Sequence, residues 1–361
     1  MILAIRWQCK LNRGEEMKKT LKLGVLNLIV IILLTSCTVD LDSNGTLGNT
    51  ADENVNSNMQ STNSDNNSPY RPPNREIPDE GTITIFESEK TGIKAASGIW
   101  ANKENIVVSD TEEHKLVVLD KEGNRIKEIG KIGGGPLEFS QPTDIYHDEE
   151  TGYVYILDNG NKRVQILSEN LEYVNEVSLS DIELNDDMSY LSVVADKEFV
   201  YISVRSALKE YLNIYRISPQ GEIDKTELIC SGNLFKDGED IYIAEMMVFE
   251  FTESRALGGS GQTYLYKING IETEKIAPFP YMYTPSDVIK YKDTYYIASS
   301  LWNLVESFKL KEGEFVYEKT LMPQVPMDKT SPVYGYKMAL FDNTIYVANS
   351  ECGEIYVIEL D

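Results

Sequence analysis

The chain has 361 residues, 42% of them hydrophobic, and carries 58 Asp and Glu against 34 Lys and Arg for a formal net charge of −24. This is enough apolar material for a large core. The acidic balance argues against nucleic acid as a partner and against electrostatic attachment to anionic lipid, since both need basic patches. Tyr is abundant, at 22 residues. With the many Val and Ile it favours strands, and no long helix-period pattern follows the N-terminal region.

The first element in chain order is an export signal. "MKKTLKLGVLNLIVIILLTSC" starts at Met17 with Lys18, Lys19 and Lys22, then runs apolar from Leu23 to Leu34, broken only by Gly24 and Asn27. The apolar stretch suits a signal-peptide core and falls short of the ~20 residues that span a bilayer. "LTSC", Leu34 to Cys37, resembles the bacterial lipobox, in which the Cys receives a diacylglyceryl group and becomes the mature N-terminus. An ordinary signal peptide followed by a coincidental Cys is the alternative. We therefore expect residues 1–36 to be a signal peptide whose true start is Met17, with Cys37 the lipidated residue. Two or three acyl chains hold a protein firmly at a membrane where one does not. Residues 37–80 then read as a disordered tether. Asn, Ser, Thr, Asp and Pro dominate there, and such a segment buries too little surface to offset its ordering entropy.

From residue 81 to 361 one pattern recurs. Apolar runs end in a small or polar residue: "IVVSD" at 106, "VYILD" at 154, "VYISV" at 200, "IYIAE" at 241, "YYIAS" at 295 and "IYVAN" at 345, at spacings of 48, 46, 41, 54 and 50. A second run follows most copies ("KLVVLD", "RVQILS", "TYLYKI", "EIYVIEL"), then a polar turn and a third. Short runs precede several copies ("ASGIWA", "PTDIYHD", "PSDVIKYK", "YKMALFD"). Four strands per unit of about 40 to 50 residues is the rhythm of a propeller blade. Six copies predict an all-β, six-bladed β-propeller; a sandwich pair or a seven-bladed ring would also carry such runs. The last copy lacks its outer strand, and "TITIF", Thr82 to Phe86, precedes the first. The expectation is that this strand completes the last blade and closes the ring. In "YVYILDNGNKRVQIL", Asp158, Asn159 and Gly160 are expected to provide positive φ in a hairpin turn.

Blade two carries a resemblance. "GKIGGGPLEFSQPTDIYHDEETGYVYILDNGNKRVQIL", Gly130 to Leu167, is similar to the NHL repeat, with its Gly-rich turn, Phe139, Pro142, Ile145, Asp158, Asn161, Arg163 and Val164. The chain thus resembles NHL-type six-bladed propellers, in particular bacterial six-bladed β-propeller lipoproteins. The resemblance implies that Asp158 and Arg163 brace neighbouring strands and turns. Some propellers similar to this one are calcium-dependent lactonases, strictosidine-synthase-like proteins or amidating lyases, with sites at the mouth of the central channel.

A calcium site wants six to eight converging oxygens. Asp110, Asp144, Asp158, Glu245, Asp287 and Asn349 recur near one edge of successive blades and are the candidates; capping of turns is the plainer role for each. His114 and His147 sit in polar surroundings with no metal-pair spacing, and no GxSxG elbow or phosphate loop is present. No catalytic residue is assigned. Trp100 and Trp302 are candidate ligand-contact surfaces, and the insertion Met246 to Gly261, with Met246, Met247, Phe249 and Phe251, is either core or an apolar lip. Cys230 and Cys352 fall in opposite blades of the expected ring, too far apart for the ~7 Å Cα separation a disulfide tolerates. The function expected is that of a lipid-anchored, extracytoplasmic binding module of the bacterial cell envelope, with a protein, peptide or glycan partner and no cofactor. A calcium-dependent hydrolase or lyase working at the channel mouth is the rival.

Overall fold

The computed structural model describes residues 78, 83–184, 188–205, 213–246, 250–251, 256–257, 262–281, 283–299, 304–322 and 336–360. The chain opens with β1 (Thr84–Phe86) and a one-turn helix, α1 (Ser88–Thr91). The first sheet holds β2 (Ala96–Ala101), β3 (Ile106–Asp110), β4 (Lys115–Leu119) and β5 (Arg125–Ile129). The second holds β6 (Pro142–Asp148), β7 (Tyr153–Asp158), β8 (Arg163–Leu167) and β9 (Tyr173–Ser178). The third holds β10 (Ser189–Ala195), β11 (Val200–Arg205), β12 (Ile214–Ile217) and β13 (Ile223–Lys225). In the fourth, β14 (Gly232–Asp237) and β15 (Asp240–Glu245) are followed in chain order by β16 (Glu250–Phe251) and β17 (Ala256–Leu257), which pair with each other. The sheet then resumes with β18 (Tyr264–Asn269) and β19 (Glu272–Pro278). The fifth holds β20 (Pro285–Tyr291), β21 (Thr294–Ser299), β22 (Leu304–Lys311) and β23 (Glu314–Thr320). The sixth has β24 (Tyr336–Phe341), β25 (Thr344–Asn349) and β26 (Ile355–Glu359), with β1 as its outer strand.

The first strands of the sheets pack in sequence, β2 on β6, β6 on β10, β10 on β14, β14 on β20 and β20 on β24, and β24 packs back on β2. That cycle is a six-bladed β-propeller. β1 runs antiparallel to β26, with Thr84, Ile85 and Phe86 opposite Val357, Tyr356 and Ile355. The strand starts at Thr84; Thr82 lies outside the described residues.

The continuous apolar runs follow from this arrangement. Successive side chains of a strand point to opposite faces, and in a propeller both faces of a blade are covered by neighbours. In β4, Leu116 and Val118 pack with Phe139, Val154 and Ile156 of blade two, while Val117 and Leu119 pack with Tyr346 and Ala348 of blade six. In β7, Val154 and Ile156 face blade one, and Tyr155 and Leu157 face Tyr190, Val193 and Ile202 of blade three. A strand buried on both sides has no need of polar alternation. The outer strands do: β5 and β9 are mostly exposed.

The hairpin after β7 corrects one expectation. Asn159–Asn161 forms a 3-10 turn, and the positive φ falls on Lys162, at 53°, rather than on Gly160. Gly160 is needed for space, since a Cβ there would lie 2.7 Å from the carbonyl oxygen of Ser140. Arg163 braces the turn. Its Nε donates to Asp158 Oδ2 at 2.9 Å, and its terminal nitrogens donate to the carbonyls of Gly134, Gly135 and Glu138 and to Glu176 Oε2 at 2.7 to 2.9 Å. All five guanidinium donors are directed at oxygen acceptors, and Arg163 holds the Gly-rich loop together with Asn161, which donates to the carbonyl of Gly133, and Gln165, which bonds Leu137 N and the carbonyl of Glu138.

Cys230 lies in the connection between β13 and β14 and is buried; it is not bonded to Cys352, which sits in the turn between β25 and β26. Met246 packs into the interior, and Met247, Phe249 and the side chain of Phe251 lie outside the described residues.

Gly98 of β2 allows a close backbone approach between blades one and two: a Cβ there would sit 2.6 Å from Ile145 N and 2.7 Å from the carbonyl carbon of Asp144. Backbone cannot yield as a flexible side chain can. Gly98→Ala should cost about 1–3 kcal/mol of stability, as overpacking does, read as a lower urea midpoint with an unchanged far-ultraviolet spectrum.

Candidate functional site: the central channel

One position on each inner strand forms a polar ring around the axis: Gly98 of β2, Asp144 of β6, Ser192 of β10, Asn233 of β14, Asp287 of β20 and Lys337 of β24. The five side chains are at most 9% exposed. In blades two, three and five a register shift lies immediately before the ring residue, and in blade one Gly98 lies within the shift. Such bulges re-aim the side chain that follows. Three of these residues stitch to the next blade: Asp144 Oδ2 accepts from Val193 N at 2.9 Å, Ser192 Oγ from Leu234 N at 3.2 Å, and Asp287 Oδ2 from Met338 N at 2.7 Å. Blades four and six keep regular register at the equivalent place, and their residues reach across the axis instead. Lys337 Nζ donates to Asn233 Oδ1 at 2.6 Å and pairs with Asp144 Oδ1 at 3.1 Å. One ammonium thereby joins blades two, four and six.

The charges do not balance locally. Lys337 faces two carboxylates, Asp144 and Asp287, and burial pushes Asp287 up to about 6, an effect that Lys337 opposes and Asp144 adds to. Further along the inner strands lies a second charged level. Lys236 Nζ pairs with Asp148 Oδ1 at 3.0 Å, again linking blades four and two, and Lys290 pairs with Asp237. Between and around these levels is a cavity of about 180 Å³ lined by residues from all six inner strands.

Asp144 and Asp287 line the channel cavity. Asp110, Asp158, Glu245 and Asn349 are occupied elsewhere. Asp110 accepts from the backbone N–H groups of Lys94, Ala95 and Glu113 at 2.9 to 3.3 Å, and burial holds its carboxyl above the ordinary range. Asp158 accepts from Ser140 N at 2.7 Å and from Arg163; Glu245 accepts from Tyr264 N at 3.0 Å; Asn349 accepts from Glu351 N at 3.1 Å. Asp110, Asp158 and Asn349 each tie a loop to the end of a second strand, and Glu245 joins the end of β15 to the start of β18. Trp100 is buried between blades one and two, stacked on His147 with ring centroids 4.7 Å apart, and burial lowers the pKa of that imidazole. His114 accepts from Gln141 N at 2.9 Å through Nδ1. Trp302 lies outside the described residues.

Lys337, Asn233, Ser192, Lys236 and Lys290 were not singled out from the sequence. A signal for the first three existed: aligning "SGIWA", "TDIYHD", "LSVVA", "GNLFKD", "SDVIK" and "YKMALF" from their first letters puts all six ring residues in the second column.

Among the described residues no three His, Cys, Asp or Glu side chains converge as a metal site would require. The ring's own chemistry explains this. Where Asp144 and Asn233 turn oxygens toward one point, Lys337 already supplies the positive charge. A divalent cation would need that space and would meet a like charge, so the residues do not fit calcium.

A family model described as 6-bladed beta-propeller matches residues 87–228, from α1 through β13. Its match spans the first three blades. No curated protein matches the chain in sequence. Among solved structures, the chain is similar to the RRP9 WD40 repeats, at 9% identity and a TM-score of 0.53, covering 79% of this chain and 99% of that one. It is also similar to a Bacteroides thetaiotaomicron protein of unknown function, at 13% identity and a TM-score of 0.53, covering 74% and 70%. A luciferin-regenerating enzyme matches at 9% identity and a TM-score of 0.52, covering 77% and 95%. At such identities the likeness is one of fold, and fold does not fix function.

The channel charges should register in pH-dependent stability. Asp287 has a folded pKa above its unfolded value, so folding favours its neutral form. The stability it contributes is full below about pH 4 and is lost as pH rises to about 6, on the order of 3 kcal/mol in all. In Asp287→Asn the ionisation is gone. The melting temperature of the variant relative to wild type should therefore move in the variant's favour between about pH 4 and 6 and stay flat above.

Proposed function

We propose that the protein is a lipid-anchored propeller of the bacterial cell envelope, held on the extracytoplasmic side by Cys37 and lifted from the membrane by residues 38–80. Its ring serves as a binding module for a protein, peptide or glycan partner. The observation that carries this reading over the calcium-dependent hydrolase or lyase is the position of Lys337. The channel carboxylates that would hold a metal are engaged instead by an ammonium and by the backbone of neighbouring blades. Propellers are rigid, closed scaffolds with short protected edges, and WD40 repeats are among the folds this one resembles. The signal-like run and "LTSC" support the anchor, and the tether's composition supports a ring free to meet partners at a distance from the lipid.

Two measurements test the reading. Cys37→Ala should abolish incorporation of an alkyne-tagged fatty acid and move the protein from the membrane pellet to the soluble fraction; retention in the pellet with label intact would remove the anchor at this residue. Calcium at about 1 mM, against chelator, should leave the melting temperature unchanged. A rise of several degrees would mean a ligand bound to the native state and would return the hydrolase reading to first place.

A further inference from the structure

The channel pairs its charges one to one and leaves one over. Lys337 pairs with Asp144, Lys236 with Asp148 and Lys290 with Asp237. Asp287 is the remaining carboxylate, and among the described residues it has no ion pair of its own. Each of its oxygens accepts from one backbone N–H, Oδ1 from Val288 at 3.0 Å and Oδ2 from Met338 at 2.7 Å. A carboxylate oxygen can accept two such bonds, so both retain capacity. The residue is 9% exposed and lines the cavity. Burial raises its pKa to about 6, and Lys337 opposes that rise only in part. The carboxylate is therefore ionised at neutral pH in surroundings that supply too little positive charge for it. The other charged groups on the wall are Asp144 of β6, Lys236 of β14, Lys290 of β20 and Lys337 of β24, and no His lines the cavity. Much of the remaining wall is apolar, including Phe235, Ile289 and Met338.

We infer that the channel is a binding site for a small monovalent amine, whose ammonium meets Asp287 and whose compact apolar body packs against Phe235 and Ile289. Charge sets the sign. Four carboxylates stand against three ammoniums, so one monocation brings the group to neutrality. An anion would add to the surplus. A divalent cation would reverse it and would want six to eight oxygens where one free carboxylate stands. Size and lining set the body. A cavity of about 150 Å³ accepts benzene, this one measures about 180 Å³, and its apolar wall rewards a hydrocarbon group that a bare inorganic ion lacks.

This site is additional to the partner-binding role, which does not need it. The test uses the full chain and three probes of one shape, benzylamine, benzyl alcohol and benzoate, by calorimetry and by thermal shift. At pH 8 benzylamine should bind one per chain with a Kd of about 1 mM or tighter and raise the melting temperature, while the alcohol and the acid should bind about tenfold more weakly or worse. Benzylamine is a cation throughout the range used, so lowering the pH to 5 acts on the protein. Protonation of Asp287 should then weaken binding about tenfold. In Asp287→Asn benzylamine should bind about tenfold more weakly than in wild type at pH 8, and the loss of affinity at pH 5 should disappear. Equal binding of benzyl alcohol, tighter binding of benzoate, no binding of benzylamine at about 10 mM, or full affinity in the folded variant would each overturn the inference. If the variant fails to fold, the pH dependence and the ranking of the three probes on wild type decide. A negative result leaves the partner-binding reading standing, since that rests on Cys37 and on the calcium response.

Discussion

A four-stranded sheet that is apolar on both faces cannot exist alone in water, and this constraint governs the molecule. Each blade needs a neighbour on either side, and only a closed cycle gives every blade two. The buried side chains accordingly gather into six clusters, one at each boundary between adjacent blades. At roughly 25 cal/mol per Å² of apolar surface removed from water, these boundaries are where stability resides, and the outer strands can remain exposed without cost to it. The polar ring on the axis is secondary to this packing: it exists because six inner strands converge there and their side chains must go somewhere.

What those side chains do is set by small differences in register. Where a bulge precedes the ring residue, the side chain turns to the next blade and accepts a backbone hydrogen, as Asp144, Ser192 and Asp287 do. Where the ladder is regular, Asn233 and Lys337 extend over the axis and meet. Buried ion pairs of this kind are weak contributors to net stability because desolvation opposes them. Their larger effect is on specificity: a blade out of order would leave Lys337 without Asp144 and Asn233, and an uncompensated buried ammonium is costly.

Much of the fold was legible in the sequence, because strand number and period are local properties. "IVVSD", "VYILD" and their counterparts declare two-faced burial by having no polar alternation, and the early strand opposite Val357 to Ile355 was foreseeable from the missing fourth strand of the last unit. The channel was legible only in part. Asp144 and Asp287 follow from their place at the start of inner strands, but Lys337 and Asn233 are 104 residues apart and meet only because the ring closes. Asp110, Asp158 and Asn349 looked equivalent to the channel carboxylates, yet they end second strands, where unpaired backbone N–H groups of the adjoining loops claim them. A sequence displays the acids; it does not display the amides that will compete for them. The same holds for Trp100, whose large apolar face is better satisfied between two blades than at a mouth.

The pairing of β1 with β26 has a consequence for the order of assembly. Five blades are each complete within a continuous stretch of chain, so their strands pair by local contacts and each sheet can pack on the one before it. The sixth draws strands from both extremes of the propeller segment, with Phe86 set opposite Ile355. Its formation is a long-range event whose entropic cost falls on the final step. Until those two extremes meet, the assembly is an open arc whose terminal blades each leave one apolar face uncovered.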